Sequence, residues 1–321
     1  MVSKYFQVDN TVQSLPLVSV VTPSYNQAQY LEEAILSVSG QDYTTIEHII
    51  VDGGSTDGTL EILDKHKGRI RWISEPDNGQ AEALNKGFQM ANGGILGWLN
   101  ADDLYKPYTV RVAVSELIKH PDIVLVHGAG QYIDSSGNVI MKRKGRDFGL
   151  KNLIGIDTIM SISAFFRREV IDKVGYLDET LHYVMDWEYW VRIAMAGLKM
   201  RYIKGPVIAL SREHEDSKTI HNKELFWQER FKVFKKIFSC SQTPVEVRRL
   251  EKRAYSGVYA SSAYFYLRYG KLKKAFFALL KAIRYWPGVL FAYSPIFIVE
   301  NLLQIARANI YLRRKRVKST S

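Results

Sequence analysis

The stretch GGILGWLNADDLYKP, residues 93–107, runs a short apolar segment directly into two neighbouring carboxylates. Residues 95–99 lack the polar alternation of a strand that has one face in water, so they predict a strand buried on both faces of a sheet. Like charges side by side repel each other unless a positive group compensates them. Asp102 and Asp103 therefore raise the question of a bound cation.

The same order of a buried strand and then a polar turn occurs twice upstream. LVSVVTP, residues 17–23, is apolar without alternation, and IEHIIVDGG, residues 46–54, ends its apolar run at Asp52. Apolar residues at helical spacing fill residues 29–40, where Gly40 is a plausible C-cap, and recur further on. This alternation predicts an α/β fold with a parallel sheet, in which ligands gather at the carboxyl ends of the strands.

The second half of the chain has a different pattern. DIVLVHGAGQYID, NVIMKRKG and SISAFFRR read as strands, and the turn between the first two has a hairpin signal, so we expect the sheet to become mixed. From about residue 222 the chain reads as helical and rich in lysine. We therefore predict an N-terminal lead over 1–16, an α/β domain over 17–221 and a basic helical region over 222–321.

Composition excludes several classes of protein. The chain has 321 residues, of which 46% are hydrophobic, and a single cysteine. It can bury a substantial core, so a disordered protein is excluded, and one cysteine allows neither an internal disulfide nor a cysteine-based zinc site. Residues 1–16 lack the apolar segment of a signal peptide, so we expect a cytoplasmic protein.

The net charge of +11 is concentrated in residues 223–321. This placement argues against nucleic-acid binding by the main domain and favours an anionic partner for the C-terminal region. Residues 285–299 form an uncharged, aromatic-rich run that two prolines interrupt, and a basic cluster follows at 313–318. The segment suits a helix pair lying on an anionic membrane surface, which would make the protein peripheral on the cytoplasmic face; a solvated basic face is the alternative.

Four segments of the sequence are informative when their order and spacing are considered together. They are residues 19–43 around TPSYN, 49–59 around VDGGSTDG, 75–103 from EPDNGQ to LNADD, and 185–192, MDWEYWVR. In this order and spacing they resemble a family 2 glycosyltransferase of the GT-A fold, over roughly residues 17–218. The resemblance implies a mixed, mostly parallel sheet flanked by helices, and a nucleotide-sugar donor.

The resemblance assigns donor binding to residues at the strand ends. Tyr25 would stack on the base, although it could instead be a loop aromatic that packs on the sheet. Asp52 would accept a hydrogen bond from the base, a role compatible with an Asx turn that opens the next loop. The donor-binding set implied by the family is Pro23, Tyr25, Asp52, Gly79, Gln80, Asn100 and Asp102.

The resemblance also implies a divalent metal, Mn²⁺ or Mg²⁺. LNADD matches the DXD element of the family, except that Asn100 stands in the place of its first aspartate. Asp102 is then the expected metal ligand, and Asp103 is a less favoured ligand, a supporting acceptor or the cap of the next helix. His214, in SREHEDS, would complete the metal site.

DWEYW matches the family element whose first aspartate is the general base. Asp186 would then accept the proton of the acceptor hydroxyl as that oxygen attacks the anomeric carbon. Met185 precedes it, where relatives often have glutamate. The competing role for Asp186 is the N-cap of its own helix.

The function implied is transfer of a sugar, with inversion, from a nucleotide-sugar donor, a UDP-sugar being favoured, to a hydroxyl of a glycan or a lipid-linked glycan. Two alternatives stay open. A sugar-phosphate nucleotidyltransferase would need a glycine-rich basic loop after the first strand, and PSYNQAQY is neither glycine-rich nor basic. A non-catalytic scaffold or membrane adaptor is the other alternative, which Asn100 and Met185 keep open.

Overall fold

A computed structural model of the chain describes residues 15–143, 145–155, 159–214, 223–268 and 271–292. In these residues nine strands form one sheet, in the order β3-β2-β1-β4-β8-β6-β9-β5, and β7 pairs with β6. The strands are β1 (Val18–Ser24), β2 (Ile46–Asp52), β3 (Arg71–Ser74), β4 (Ile95–Trp98), β5 (Leu104–Tyr105), β6 (Ile123–Ile133), β7 (Val139–Arg143), β8 (Ala164–Arg167) and β9 (Lys199–Arg212).

Twelve helices accompany the sheet in the described residues. They are α1 (Ala28–Ser39), α2 (Thr59–Lys65), α3 (Gln80–Met90), α4 (Thr109–Lys119), α5 (Leu150–Leu153), α6 (Glu169–Val174), α7 (Met185–Met195), α8 (Lys223–Ser239), α9 (Val245–Arg248), α10 (Glu251–Arg268), α11 (Leu272–Tyr285) and α12 (Val289–Ala292). Gly40 caps α1 as expected, because its N–H donates to the carbonyl of Leu36 at 2.9 Å.

The first half of the sheet is parallel and positions the polar loops. β1 lies between β2 and β4, and Val18 faces Ile46 on one side and Ile95 on the other. All seven residues of β1 are buried, as the absence of polar alternation predicts. Because β1 to β4 run in one direction, the segments that follow Ser24 and Asp52 reach the same edge of the sheet.

The second half is mixed, as predicted. β8 runs antiparallel between β4 and β6, and β6 and β7 form the expected hairpin. β9 is one long strand parallel to β6, and Arg212 at its end faces Ile133, so it returns the chain to the edge where β1 to β4 end. Six of the nine strands run in one direction, which confirms a mostly parallel sheet flanked by helices.

The helices from Lys223 onward pack against the same core as the sheet. Trp227 and Phe234 of α8 belong to the apolar cluster that contains Leu96 and Phe166. α10 and α11 pack as a helix pair, and Ser256 Oγ donates to the carbonyl of Ala282 at 2.8 Å. The boundary at 221/222 stays a prediction.

Several sequence predictions lie outside the described residues. These are most of the N-terminal lead, residues 293–299 of the uncharged run and the basic cluster at 313–318. Among the helices that the structure describes, none has both the length and the apolar character that crossing a bilayer requires.

Candidate active site

The loop after β1 is joined to the loop after β2. Tyr25 is 61% exposed at the edge of the sheet, whereas Pro23 is buried within β1. Asn26 has a left-handed φ of 51°, and its N–H donates to Ser55 Oγ at 2.7 Å. Its Oδ1 accepts from the N–H of Thr56 at 2.9 Å. The two loops therefore form one connected rim, from which the Tyr25 ring projects into solvent.

Asp52 organises the second loop from inside. Its carboxylate is fully buried, and Oδ2 accepts from the N–H groups of Gly54 at 3.1 Å and Ser55 at 2.9 Å. It also accepts from Ser55 Oγ at 2.5 Å and from Ser74 Oγ at 2.7 Å. This is the Asx-turn arrangement expected from the sequence. With four hydrogen bonds already made, the contact of Asp52 with a nucleotide base stays a prediction.

A third loop, DNGQ, reaches the same rim. Gly79 has a φ of +130°, which favours glycine, and its N–H donates to Asp77 Oδ1 at 2.8 Å. Asp77 also lies against the second loop, because a Cβ added at Gly53 would come within 2.8 Å of Asp77 Oδ2. Sequence reasoning assigned no role to Asp77, although the DNGQ motif contains it.

Asn100 joins the DNGQ loop to the interior. Its Oδ1 accepts from Gln80 Nε2 at 2.8 Å, and its Nδ2 donates to Asp103 Oδ2 at 2.7 Å. An amide can accept on one side and donate on the other in this way, whereas an ionised carboxylate only accepts. The asparagine in the place of the first DXD aspartate therefore fits a local hydrogen-bond network.

Asp103 faces inward. It is 2% exposed, and its Oδ1 accepts from the N–H of Arg212 at 2.8 Å. Burial raises the pKa of Asp103 well above its usual value, and the neighbouring charge of Asp102 raises it further. It does not cap the next helix, because α4 begins only at Thr109. This geometry favours Asp102 over Asp103 as a metal ligand.

Arg212 connects the Asp102 segment to Glu33 of α1, and it was not predicted from the sequence as a site residue. Its Nε donates to the carbonyl of Asp102 at 3.0 Å, and one terminal nitrogen donates to Glu33 at 2.7 Å. The guanidinium also lies over the ring of Tyr30, 4.8 Å from its centroid. A lone arginine in SREHEDS has no signal of its own, because its role depends on β9 returning to this edge.

Asp102 and His214 meet at the same edge. Asp102 Oδ2 and His214 Nε2 are 3.0 Å apart, and the imidazole lies 4.9 Å from the ring of Tyr30. A carboxylate oxygen and an imidazole nitrogen that point at each other fit a divalent ion such as Mn²⁺. Across the residues that the structure describes, no cluster of three or more His, Cys, Asp or Glu forms a complete metal shell. Asp102 and His214 are the two candidate ligands that the described residues bring together.

Asp186 lies in the first turn of α7. It is not the N-cap, which corrects that alternative: the helix begins at Met185 and Val184 is its N-cap. Its half-buried carboxylate accepts from the N–H of Trp187 at 2.6 Å. Burial raises the pKa of Asp186, while that hydrogen bond and the charges of Arg230 and Arg143 oppose the rise. A raised pKa suits a group that must take up a proton.

The segment that leads into α7 lies on the donor loop. A Cβ added at Gly79 would come within 3.1 Å of His182 Nδ1, so this imidazole lies close against the Gly79 backbone. His182 precedes Asp186 by four residues, and α7 begins between them at Met185. The structure thus brings the start of α7 against the loop of Gly79, and sequence reasoning had no signal for His182.

Comparison with known proteins relates part of the chain to a family of transferases. The family model "Glycosyl transferase family 2" matches residues 19–175. The hyaluronan synthase of Pasteurella multocida is 33% identical over 196 residues, which are 59% of this chain and 20% of that protein. The chain spans 28%, 66% and 20% of the length of three curated relatives it matches.

Solved structures share the fold. S. aureus TarS 1–349 in complex with UDP-GlcNAc is 16% identical, with a TM-score of 0.63 over 93% of this chain and 92% of that one. The mannosyltransferase PcManGT from Pyrobaculum calidifontis, in complex with GDP-Man and Mn2+, is 21% identical, with a TM-score of 0.60 over 92% and 86%. Residues 19–175 therefore match the family 2 glycosyltransferase model, and the chain shares the GT-A fold of these transferases.

Proposed function

We propose that this protein transfers a sugar from a nucleotide-sugar donor to an acceptor hydroxyl, with inversion at the anomeric carbon. One observation carries the proposal: His182 packs on Gly79 and so brings the helix of Asp186 against the loop assigned to the donor. A general base must lie within reach of the hydroxyl that attacks the donor. The contact supports a site in which the base and the donor meet.

The donor side is formed by the rim of loops. Tyr25 offers an exposed ring on which a base can stack, and Pro23 and Asp52 shape the loops beside it. Gly79 and Gln80 begin α3, whose N-terminus favours the phosphates of a donor. The TarS complex contains UDP-GlcNAc and the PcManGT complex contains GDP-Man, which supports a nucleoside diphosphate sugar; we favour a UDP-sugar.

Asp102 and His214 would hold Mn²⁺ or Mg²⁺ together with the donor phosphates. The mixed oxygen and nitrogen donor set and the Mn2+ in the PcManGT complex support this assignment. When bound, the ion supplies positive charge that stabilises the departing diphosphate. Asn100 positions Gln80 beside the phosphates, and Asp103 holds Asn100 from within rather than binding the ion.

Asp186 would be the general base. As the acceptor oxygen bonds to the anomeric carbon, the hydroxyl proton moves to the carboxylate of Asp186, and the bond between that carbon and the diphosphate oxygen breaks on the opposite side. One displacement inverts the configuration and needs a single catalytic carboxylate. The raised pKa of Asp186 supports this role.

The acceptor we favour is a hydroxyl of a glycan or a lipid-linked glycan, met at an anionic membrane surface. α11 supports the surface, because its alanines Ala275, Ala278 and Ala282 are buried while its large apolar side chains face outward between lysines. The exposed apolar residues of α11 include Leu272, Phe276, Phe277, Leu279 and Leu280.

Sedimentation with phosphatidylglycerol vesicles tests the membrane contact of α11. The protein should pellet with the vesicles, and the double variant Phe276→Ser with Phe277→Ser should pellet less. Equal recovery of both proteins with the vesicles would contradict it.

Release of nucleoside diphosphate tests the enzymatic proposal. Purified protein is incubated with UDP-, GDP- and dTDP-sugars and Mn²⁺, and the free diphosphate is measured. We expect turnover of one donor class, with loss of turnover in Asp102→Ala and Asp186→Ala. No binding of any donor by calorimetry would favour the scaffold instead.

A further inference from the structure

A buried carboxylate of the C-terminal helices accepts hydrogen bonds from the segment that precedes α7. Glu229 of α8 is 5% exposed, and its Oε1 accepts from the N–H of His182 at 2.9 Å. Its Oε2 accepts from the N–H groups of Tyr183 at 2.7 Å and Val184 at 3.2 Å. One side chain thus binds three successive backbone donors immediately before the helix that carries Asp186.

The adjacent arginine holds the next part of the same turn. Arg230 is 3% exposed, and its guanidinium lies over the ring of Trp187, 4.5 Å from the centroid. Trp187 Nε1 donates to the carbonyl of Leu153 at 2.8 Å, which fixes the indole from its other end. Because Trp187 directly follows Asp186 and donates its N–H to that carboxylate, its placement sets the orientation of Asp186.

We propose that Glu229 and Arg230 are positioning residues, which set the placement of the Asp186 carboxylate from the C-terminal helical region. This inference rests on the proposed function of Asp186 as the base. It makes α8 a working part of the active site rather than an appended helix. Glu229 binds residues 182–184 and Arg230 lies over Trp187, so both act through the start of α7.

The physical basis is that a carboxylate and a cation hold the turn from two sides. Glu229 satisfies backbone N–H groups at a helix N-terminus, where anions are favoured. Without it, the chain from His182 to Val184 would lose three hydrogen bonds and could change its path into α7. A misplacement of about 1 Å at a reacting group can cost about a hundredfold in rate.

Turnover of the donor by Glu229→Gln tests the first half of the proposal. The change keeps the size of the side chain but replaces one acceptor oxygen with an N–H₂ group that faces backbone donors. We expect kcat to fall between about tenfold and a hundredfold, with the KM for the donor within about twofold of the wild type. A rise in donor KM at unchanged kcat would place Glu229 on the donor side and overturn the proposal.

Glu224→Gln is the matched control. Glu224 lies on the same helix, but its carboxylate pairs with Lys274 at 3.1 Å on an exposed face, away from α7. We expect wild-type kcat for this variant. Circular dichroism and thermal unfolding of both variants establish that they are folded, and a folded Glu229→Gln with wild-type kcat would overturn the proposal.

Variants of Arg230 test the second half of the proposal through the pH dependence of activity. A purely structural role for Arg230 would not change that pH dependence. Arg230 of α8 and Arg143 of β7 are the two cations that act on the pKa of Asp186, and both lower it. Arg230→Met should therefore shift the acidic limb of the kcat/KM profile to higher pH, because the base loses a stabilising charge. Arg230→Lys should keep that limb near the wild type.

The Glu229 and Arg230 experiments together distinguish the ways in which the proposal could fail. If Glu229→Gln does not fold, the pH profiles of the two Arg230 variants decide the question. An acidic limb that is unchanged in Arg230→Met would overturn the proposal. A wild-type protein that neither binds nor turns over any donor would instead refute the proposed function, before either positioning residue is tested.

Discussion

Asp102 Oδ2 lies 3.0 Å from His214 Nε2, although 112 residues separate the two in the sequence. The contact exists because β4 and β9 both deliver their carboxyl ends to one edge of the sheet. A carboxylate that follows a buried strand and a histidine that follows another become a pair only through this topology. The pair is the feature of the structure that points most directly to a divalent ion.

Removal of either ligand should weaken the affinity of the protein for the metal ion. For Asp102→Asn and His214→Ala, we expect the Mn²⁺ concentration that gives half-maximal donor turnover to rise at least about tenfold, because the ion loses a protein ligand. A manganese titration of turnover measures this. Asp122→Asn, on an exposed ion pair with Lys199, is the control. Unchanged titration curves for both ligand variants would contradict the assignment.

An aspartate at position 100 should be harmful even though it restores the family motif. In Asn100→Asp the new side chain cannot donate to buried Asp103 as the amide does, so two carboxyl groups face each other and one of them must hold a proton to keep the contact. We expect a loss of about 1–3 kcal/mol in the free energy of unfolding at neutral pH, measured by urea denaturation.

The exchanged pair provides the control for that experiment. Asn100→Asp combined with Asp103→Asn restores one amide and one carboxylate, so the double variant should recover most of the lost stability. Equal stability of Asn100→Asp and the wild type would show that the hydrogen bond between residues 100 and 103 does not contribute to the free energy of unfolding.

The ring of Tyr25 should contribute to nucleotide affinity without contributing to stability. Tyr25→Ala should weaken UDP binding by about 1–3 kcal/mol, the usual range for stacking of a base on an aromatic side chain. Calorimetric titration measures the affinity, and the melting temperature should not change, since Tyr25 is 61% exposed. Tyr176→Ala, another exposed tyrosine, is the control, and equal UDP affinity in both variants would refute stacking on Tyr25.

His48 should make the protein less stable in acid. Its ring is buried beside Thr22 Oγ1, at 2.9 Å, and burial lowers the pKa of His48 from 6.5 to about 3. As the pH falls below 6.5, the unfolded state binds a proton that the folded state cannot yet bind, so stability is lost down to about pH 3.

His48→Gln should lose less stability than the wild type when the pH falls from 7 to 5. The expected difference is about 2 kcal/mol in the free energy of unfolding, measured by urea denaturation at both pH values. His120→Gln changes a half-buried surface histidine and should behave as the wild type does. Parallel pH dependence in His48→Gln and the wild type would contradict the assignment.

Strand ends could be predicted from the sequence because burial leaves a clear pattern. Residues 18–24 and 46–52 are apolar runs that stop at polar loops, and both appear in the structure as parallel strands. The Asx turn of Asp52 could be predicted as well, because Asp followed by two glycines is a local signal. The equal-looking pair Asp102 and Asp103, in contrast, differs sharply in burial, and only the position of β9 decides which one is buried.

Contacts that join distant elements left no sequence signal. Glu229 and Arg230 look like any charged pair on a lysine-rich helix, yet both are buried against α7. His182 gains its importance from the absence of a side chain at Gly79, which single-residue patterns do not reveal. Such relationships depend on how the helical region packs on the sheet, and packing has no local code.

Asp186→Asn tests the central claim most directly. Diphosphate release from the preferred donor is compared between the wild type and this variant at saturating Mn²⁺, with donor affinity measured in parallel by calorimetry. We expect the variant to bind the donor as the wild type does and to lose at least about a hundredfold in kcat, because the amide cannot accept the proton. A folded Asp186→Asn protein that releases diphosphate at the wild-type rate would contradict the account.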